Sequence, residues 1–337
     1  MNSFFLNKLA MVFILAWLSL GLAACGGLVK GDNRQNQPLN SGLVAAIKAI
    51  GSTPGEGMVV RIFKQESVLE VWKRSTAGQY RLLKTYEICA YSGALGPKVK
   101  EGDRQSPEGF YTITPGLLNP KSNYYLAFNT GFPNKFDRSW GRTGSDLMVH
   151  GDCSSRGCYA MTDEGISEIY ALARETFRGG NPSFQLQIFP FRMTAANLAT
   201  HTADASMGFW KDIKEGYDLF ELNKAPPLWD VCERQYIFNA ATVAPLDAMG
   251  TCPAVAPNAA LLARQQADET ALAGQLAAVE QQATTDAVIK ARGEAVNGAV
   301  GGFFGGVGNL FGGGEENIAP VITGKPAPVP MPPLVRS

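Results

Sequence analysis

The sequence has few of the residue types that most readily mark a functional site. Only two histidines, His150 and His201, occur in 337 residues, so each can be considered separately. An excess of charge of one sign is also missing, because 30 basic residues balance 30 acidic ones. This balance excludes the overall positive field of a typical nucleic-acid-binding protein. Hydrophobic residues make up 45% of the chain, which is enough for a sizeable core.

The N-terminal apolar run, residues 9–22, is too short for a membrane span but suits the core of a signal peptide. It ends in Leu22-Ala23-Ala24-Cys25-Gly26, which resembles the lipobox of bacterial lipoproteins. We therefore expect residues 1–25 to be a lipoprotein signal peptide and Cys25 to carry a lipid anchor to a membrane. The alternative is an ordinary signal peptide that is cleaved near the two alanines. Both interpretations predict export to the periplasm, and glycine after Cys25 favours the outer membrane.

Export changes how the six cysteines are interpreted, because an oxidising compartment permits disulfides. If Cys25 is lipidated and Cys158 is kept for chemistry, four cysteines remain. Three pairings of them are possible, and the sequence does not choose among them. Pairing of neighbours in the sequence would join Cys232 to Cys252. If the four cysteines are reduced, they would act as small hydrophobic residues. The four are Cys89, Cys153, Cys232 and Cys252.

Short β-type segments dominate the middle of the chain. They are rich in β-branched and aromatic residues and are separated by Gly, Pro and Asn turns; they lie at 58–63, 68–72, 80–89, 110–113, 124–128, 147–150 and 184–188. Thr162 is a helix N-cap followed by acidic residues, and Gly179-Gly180 ends that helix. A second helix is predicted over 209–222. The pattern predicts a mainly β protein with a few helices, an α+β fold.

The segment from His150 to Tyr159 concentrates the residues that could carry chemistry. A thiol nucleophile needs a neighbouring base, and it needs backbone N–H groups aimed at the developing oxyanion. His150 at a strand end and Gly157-Cys158 in a loop meet these requirements. Two alternatives stay open at this point. One is a disulfide between Cys153 and Cys158 that only fixes the loop. The other is a zinc site formed by His150, Cys153 and Cys158, with or without Asp152.

Several arguments bear on these alternatives and on the second histidine. The absence of a paired C-x-x-C motif and of a second nearby histidine counts against zinc. We therefore expect no metal and no cofactor. His201 lies in a Thr/Ala-rich segment, and a single histidine in such surroundings more often serves the surface or packing than catalysis.

The run Ser155-Arg156-Gly157-Cys158, with His150-Gly151 upstream, resembles the active-site motif of the YkuD-type L,D-transpeptidases. The surrounding sequence is still more similar to the YafK-like murein subgroup. The matching stretches are 92–98 (SGALGPK), 102–111 (GDRQSPEGFY), 131–134 (GFPN), 148–162 (MVHGDCSSRGCYAMT) and 189–194 (FPFRMT). The resemblance covers about half of the chain. Arg156 stands where the family at large has a second histidine, Ala160 stands where Asn or Arg is common, and the His-to-Cys spacing is short; all three fit the subgroup.

The resemblance implies a function and a role for each site residue. Cys158 would be the nucleophile, His150 its base, and Gly157 part of the oxyanion loop; Ser155 would orient that loop. Gly151 would contact substrate. The planar guanidinium of Arg156 suits a substrate carboxylate, and the alternative for this residue is a solvated loop arginine. The implied reaction is acyl transfer at diaminopimelate of peptidoglycan stem peptides, which forms cross-links for wall organisation and cell shape. The alternatives are an amidase that releases a wall-attached lipoprotein, which would then be a second partner, and a non-catalytic wall-binding lipoprotein.

The resemblance also sets the domain boundaries. We expect a tether and leading segment over 26–57 and the catalytic domain, an L,D-transpeptidase-type β-sandwich or open barrel, over 58–227. A linker over 228–258 follows. The composition then changes to Ala, Gln and Glu, which predicts an amphipathic helix over 259–294 with Leu272, Leu276, Val279 and Ala283 on one stripe. Residues 295–337, Gly-rich and then Pro-rich, are predicted to form a flexible tail.

Overall fold

The computed structural model describes residues 32–308, with side chains described as far as Glu294. The predicted signal peptide, Cys25 and the Pro-rich C-terminal segment lie outside the described residues. The strands, in chain order, are β1 Met58–Phe63, β2 Val68–Arg74, β3 Tyr80–Glu87, β4 Ala90–Tyr91, β5 Gly109–Ile113, β6 Leu118–Asn119, β7 Ala127–Asn129, β8 Met148–His150, β9 Tyr159–Ala160, β10 Phe184–Phe189, β11 Trp229–Cys232 and β12 Gln235–Phe238. The helices are α1 Ser41–Ala49, α2 Lys135–Ser139, α3 Asp163–Arg178, α4 Ala195–Thr200, α5 Met207–Asn223 and α6 Ala259–Gly308.

Two five-stranded sheets and a hairpin organise these strands. The first sheet has the order β3-β2-β1-β10-β5, and the second has the order β4-β9-β8-β7-β6. Pairing is antiparallel except for β1 with β10 in the first sheet and β8 with β9 in the second. Strands β11 and β12 pair only with each other. The predicted α+β fold class is confirmed.

The central strand β1 is buried on both faces, and this divides the core into two clusters. Val60 and Ile62 point into a first cluster, formed with the second sheet and α3. Phe63 lies in a second cluster, in which α5 and the β11–β12 hairpin cover the other face of the sheet. Successive strand residues point to opposite faces, so a strand covered on both sides has no polar alternation.

Helix α3 forms as the sequence predicts. The Thr162 side chain accepts a hydrogen bond from the Gly165 N–H at 3.0 Å and caps the first turn. The stripe with Ile166 and Ile169 packs into the first core cluster. The helix ends at Arg178, directly before Gly179. A Cβ at Gly179 would overlap the backbone of Gly55, so the close approach of these two segments requires glycine.

A buried ion pair joins the first sheet to α5. Lys64 Nζ lies 2.9 Å from Glu108 Oε1, and neither side chain is exposed to solvent. The ammonium also donates to the Gly96 carbonyl at 3.0 Å and to the Ser106 carbonyl at 3.1 Å, so its three donors are all used. Glu108 accepts from the Gly96 N–H and, through Oε2, from the Trp210 indole. The pair thereby fastens the loop over 92–108 to the sheet and to the helix.

The segment predicted as a linker over 228–258 differs from that expectation. It contains the β11–β12 hairpin, and a disulfide joins Cys232 at the end of β11 to Cys252. Val231 and Tyr236 pack in the second core cluster. The strands have four residues each, too few for the alternation of apolar residues to stand out in the sequence. The leading segment also contributes to the core, since α1 buries Leu43 and Ile47 in the first cluster.

The predicted C-terminal helix is α6, which continues beyond residue 294 to Gly308. The chain divides into two compact units, with the boundary between Gln275 and Leu276. In the first unit, Arg264 of α6 is ion-paired with Asp218 of α5 at 2.8 Å. In the second unit, Leu276 and Val279 of the predicted stripe are exposed. Over residues 32–308, no helix is both long and apolar enough to cross a membrane.

Two glycines of α5 give a matched test of the packing on the second core cluster. A Cβ at Gly216 would overlap the rings of Phe110 and Phe238, whereas nothing lies within 4 Å of a Cβ at Gly208. We expect Gly216→Ala to lower the free energy of unfolding by about 1–3 kcal/mol through overpacking. Gly208→Ala should leave it unchanged or raise it by up to about 1 kcal/mol. Urea unfolding of both variants measures the difference; equal stabilities would contradict this account.

Candidate active site

The parallel pairing of β8 with β9 brings the predicted nucleophile and base to one face of the second sheet. Val149 is in register with Tyr159, and both side chains point into the first core cluster. Because side chains alternate along a strand, His150 and Cys158, each next to one of these residues, face the opposite side. Cys158, directly before β9, is therefore expected on the same side of the sheet as His150 at the end of β8.

His150 is held as a neutral imidazole with a defined tautomer. Its Nδ1 lies 2.6 Å from the Gly151 carbonyl oxygen, which can only accept, so Nδ1 carries the hydrogen. Nε2 then has a free lone pair and can accept a proton. Only 3% of the residue is exposed, and burial lowers its pKa despite the Gly151 carbonyl and the Asp152 carboxylate. The Tyr124 ring covers the imidazole, with 4.8 Å between the ring centroids.

Cys158 is held as a neutral thiol. Burial raises its pKa; the Met148 N–H and the charge of Lys98 act against this rise, and Asp146 adds to it. The Met148 N–H donates to Sγ at 3.4 Å, and the thiol donates to the Asp146 carbonyl at 3.6 Å. No hydrogen bond joins Cys158 to His150 in this arrangement. The resting pair is thus a thiol and an imidazole.

Both disulfides leave Cys158 free. Cys89 is bonded to Cys153, and Cys232 is bonded to Cys252, as expected for neighbours in the sequence. Among the cysteines at residues 32–308, Cys158 alone is unpaired. The alternative Cys153–Cys158 disulfide is therefore wrong. The alternative zinc site is weakened, because Cys153 is in a disulfide and cannot bind a metal as a thiolate. Within the described part of the chain, no cluster of three His, Cys, Asp or Glu side chains is arranged to hold a metal ion.

Three serine hydroxyls fix the backbone of the nucleophile. Ser155 Oγ donates to the Cys158 carbonyl at 2.7 Å and accepts from the Cys158 N–H at 3.1 Å. Ser106 Oγ donates to the same carbonyl at 3.1 Å. Ser92 Oγ lies 3.0 Å from Ser155 Oγ, and the Ser92 backbone N–H donates to Ser106 Oγ. The loop that the Lys64–Glu108 pair holds in place thus positions Cys158 through Ser92 and Ser106.

The three other predicted site residues lie in different environments. Gly157 has φ +124°, a conformation that L side chains rarely adopt, and its N–H has no acceptor among the described residues. Arg156 is exposed and makes no ion pair within the described chain. Gly151 is buried, and a Cβ there would come within 3.0 Å of the Tyr124 carbonyl and closer to Asp163. The structure thus gives Gly151 a packing constraint where the sequence predicts a substrate contact.

Comparisons with known proteins give the family of the chain. The family model of the YkuD L,D-transpeptidase catalytic domain matches residues 58–179. The chain is 41% identical over 232 residues to "Putative L,D-transpeptidase YafK" of Escherichia coli K12, covering 69% of this chain and 90% of that protein. The protein of the same name from Escherichia coli O157:H7 gives the same identity and coverage. The chain belongs to the L,D-transpeptidase family.

Solved structures similar to this chain are more distant. A single-residue mutant of the helical cell shape determining protein Pgp2 from Campylobacter jejuni matches with a TM-score of 0.32 and 22% identity, over 47% of this chain and 56% of that one. Bd1075 from Bdellovibrio bacteriovorus matches with a TM-score of 0.29 and 22% identity, over 42% and 51% of the two chains. The chain thus spans about half the length of each of these structures.

Several groups around the Cys158 thiol were not singled out from the sequence. They are the Ser92 and Ser106 hydroxyls, the Tyr124 ring, the Met148 N–H and the Asp146 carbonyl. Ser92 and Ser106 lie in two of the stretches that resemble the family, but nothing in the sequence gives them a role. The second histidine, His201, lies away from the thiol. It stacks on Phe191, with 4.7 Å between centroids, and contacts Gln65 through Nε2, in agreement with the packing role expected for it.

The two pKa shifts predict how the thiol responds to pH. Since iodoacetamide reacts with the thiolate, the raised pKa of Cys158 should make its alkylation at pH 7 slower than that of a free cysteine. The rate should keep rising as pH passes about 8.5, the ordinary value for cysteine. The lowered pKa of His150 leaves no imidazolium to stabilise a thiolate at neutral pH. A rate plateau between pH 6 and 8, measured by mass spectrometry of the Cys158 peptide, would reveal a preformed ion pair and contradict this prediction.

Proposed function

We propose that this L,D-transpeptidase is a cell-envelope acyltransferase that uses Cys158 to form a thioester with diaminopimelate of peptidoglycan stem peptides. The observation that carries the proposal is the free Cys158 thiol directly before β9, the strand that pairs with His150 of β8, with both disulfides leaving it unpaired. The burial and the tautomer of His150 support a role in proton transfer. Membership of the family supports the reaction class.

The proposed reaction begins when substrate displaces the thiol from the Asp146 carbonyl. His150 Nε2 then takes the thiol proton, and the sulfur attacks the carbonyl carbon of the diaminopimelate residue. The Gly157 N–H, which has no protein acceptor within the described residues, is the candidate oxyanion donor, a contact worth about 3 kcal/mol in such sites. The Cys158 N–H could serve only after leaving Ser155. The bond between this carbonyl carbon and its amide nitrogen then breaks, and the leaving amine takes the proton from His150.

The second half of the reaction depends on the acceptor. An amine of another stem peptide attacks the thioester, transfers its proton to His150 and restores the Cys158 thiol, which gives a cross-link. Arg156, exposed beside the nucleophile, would hold a carboxylate of one peptide through its planar guanidinium. If water attacks instead, the same site acts as an amidase and releases wall-bound protein. Peptidoglycan is the proposed partner in both cases.

Turnover of purified wall material tests this mechanism. We expect Cys158→Ala to abolish product formation, because no other described thiol is free. His150→Ala should lower the rate by about 10²–10⁴-fold, the usual contribution of a general base. His201→Gln is the matched control, since this histidine contacts Gln65, Phe191 and Trp210 instead of the thiol. Chromatography of the digested wall distinguishes cross-linked dimers from released protein. Full activity of Cys158→Ala would refute the proposal and favour a non-catalytic wall-binding role.

The proposed location is the periplasm, with a lipid on Cys25 that anchors the chain to the outer membrane. The lipobox-like residues 22–26 support this, and they lie outside the described residues. We expect Cys25→Ser to remove the protein from the outer-membrane fraction, because the lipidated thiol would be missing. Fractionation by density gradient measures this change, with Cys158→Ser as the matched cysteine control. An unchanged distribution of Cys25→Ser would show that no lipid at this residue anchors the chain.

A further inference from the structure

A groove of about 880 Å³ lies beside the loop that positions the nucleophile. Residues of the segment 95–105 form one side. The other side consists of Trp140 and Arg142, the first turn of α5 and the β11–β12 hairpin. The helix and the hairpin follow residue 179, where the match to the catalytic-domain family model ends. The groove therefore joins the catalytic core to a part of the chain that the family model does not include.

One loop connects this groove with the thiol. Its two ends, Ser92 and Ser106, contact Ser155 and the Cys158 carbonyl. Between them, Lys98 donates to the Lys100 carbonyl at 2.9 Å and to Asp103 Oδ1 at 2.5 Å, and both of these residues line the groove. The Lys98 charge also acts on the Cys158 thiol. The same loop therefore lines the groove and positions the nucleophile.

The acidic side chains of the groove are largely neutralised. Burial acts to raise the pKa of Asp103, but its ion pair with Lys98 and three backbone N–H donors hold this pKa at about 2. Asp212 accepts the Tyr236 N–H, and burial raises its pKa to about 7, so a large fraction of it is protonated at neutral pH. No basic side chain of the described residues is ion-paired with Asp212.

Two cations of the groove, in contrast, are available. Lys100 is exposed and its ammonium has no partner among the described residues. Arg234 is exposed; its guanidinium donates only to the Met249 sulfur and lies 5.6 Å from the centre of the Trp140 ring. Arg142 is different, because it is ion-paired with Asp137 at 2.9 Å. Trp140 itself is 54% exposed and donates through its indole to the Arg234 carbonyl.

We propose that this groove binds a peptidoglycan stem peptide through its free carboxylates, with Lys100 and Arg234 as the cationic contacts and Trp140 as the apolar surface. The volume lies within the range of about 300–1,000 Å³ found for ligand sites. Cations beside an exposed aromatic ring suit a chain that alternates carboxylates with aliphatic groups. The inference rests on the proposed function, because it assigns a binding place for the substrate class of the Cys158 site.

The test measures binding by the full mature chain carrying Cys158→Ala, so that no turnover is needed. The probe is a soluble disaccharide-tetrapeptide with free carboxylates, titrated by calorimetry, and the comparison ligand is the same compound with its carboxylates amidated. We expect Lys100→Gln with Arg234→Gln to weaken binding by about tenfold or more, since two charge-assisted contacts are lost. The amidated ligand should bind comparably weakly to the unsubstituted groove, and higher salt should weaken binding of the free acid.

The matched control is Arg81→Gln with Lys121→Gln, an exposed arginine and an exposed lysine that do not line the groove. This pair removes the same total charge and should retain the affinity. Thermal unfolding of each protein excludes loss of the fold as the cause. The proposal is overturned if the groove pair binds as tightly as its parent, if both pairs weaken binding equally, or if the parent does not prefer the free acid. Failure of the proposed chemistry would instead appear as lack of turnover with Cys158 intact.

Discussion

The buried Lys64–Glu108 ion pair is the constraint on which the site depends most. Removing two charges from water costs several kcal/mol for each ion, so such a pair persists only when hydrogen bonds satisfy both partners. Here the ammonium has three acceptors, and the carboxylate accepts from Gly96 and Trp210 as well as from Lys64. These contacts connect the end of β1, the loop over 92–108 and α5. In that loop, Ser92 and Ser106 hold the nucleophile in place, and residues 95–105 form one side of the groove. A single polar cluster therefore fixes the position of the nucleophile and the shape of the groove.

The second requirement is that one thiol stays free in a protein that forms disulfides. The backbone meets it by separating the cysteines around β9. The Cys89 N–H donates to the Ala160 carbonyl, and the Cys153 N–H donates to the Met161 carbonyl, which places these two cysteines together. Cys158 precedes β9, and its sulfur lies between the Met148 N–H and the Asp146 carbonyl. Cys153, close in sequence, is thereby bonded to a residue 64 positions away, and the nucleophile remains available.

Sequence patterns predicted the elements whose local features agree with their tertiary environment. Helix α3 has a capping threonine, an amphipathic stripe and glycines at its end, and it forms as expected. Strands β1, β2, β5, β8 and β10 lie where β-branched and aromatic residues predicted them. The hairpin β11–β12 and the longer extent of α6 differ from expectation. Four-residue strands are too short to show a period, and the glycines after residue 294 argue locally against helix.

By itself, the sequence predicted which residues could carry chemistry, but those residues left a loop disulfide and a zinc site open. The reaction class was implied by the resemblance to the YkuD-type L,D-transpeptidases. The sequence also determined the α+β class, since strand and helix periods are local properties. Tertiary structure alone decided the disulfide pairing, the tautomer of His150, the protonation of Cys158 and the serine contacts at its backbone. Each of these depends on groups from segments far apart in the chain, and on burial that no local pattern specifies. The groove along the loop over 92–108 likewise exists only because α5 and the hairpin fold back against that loop.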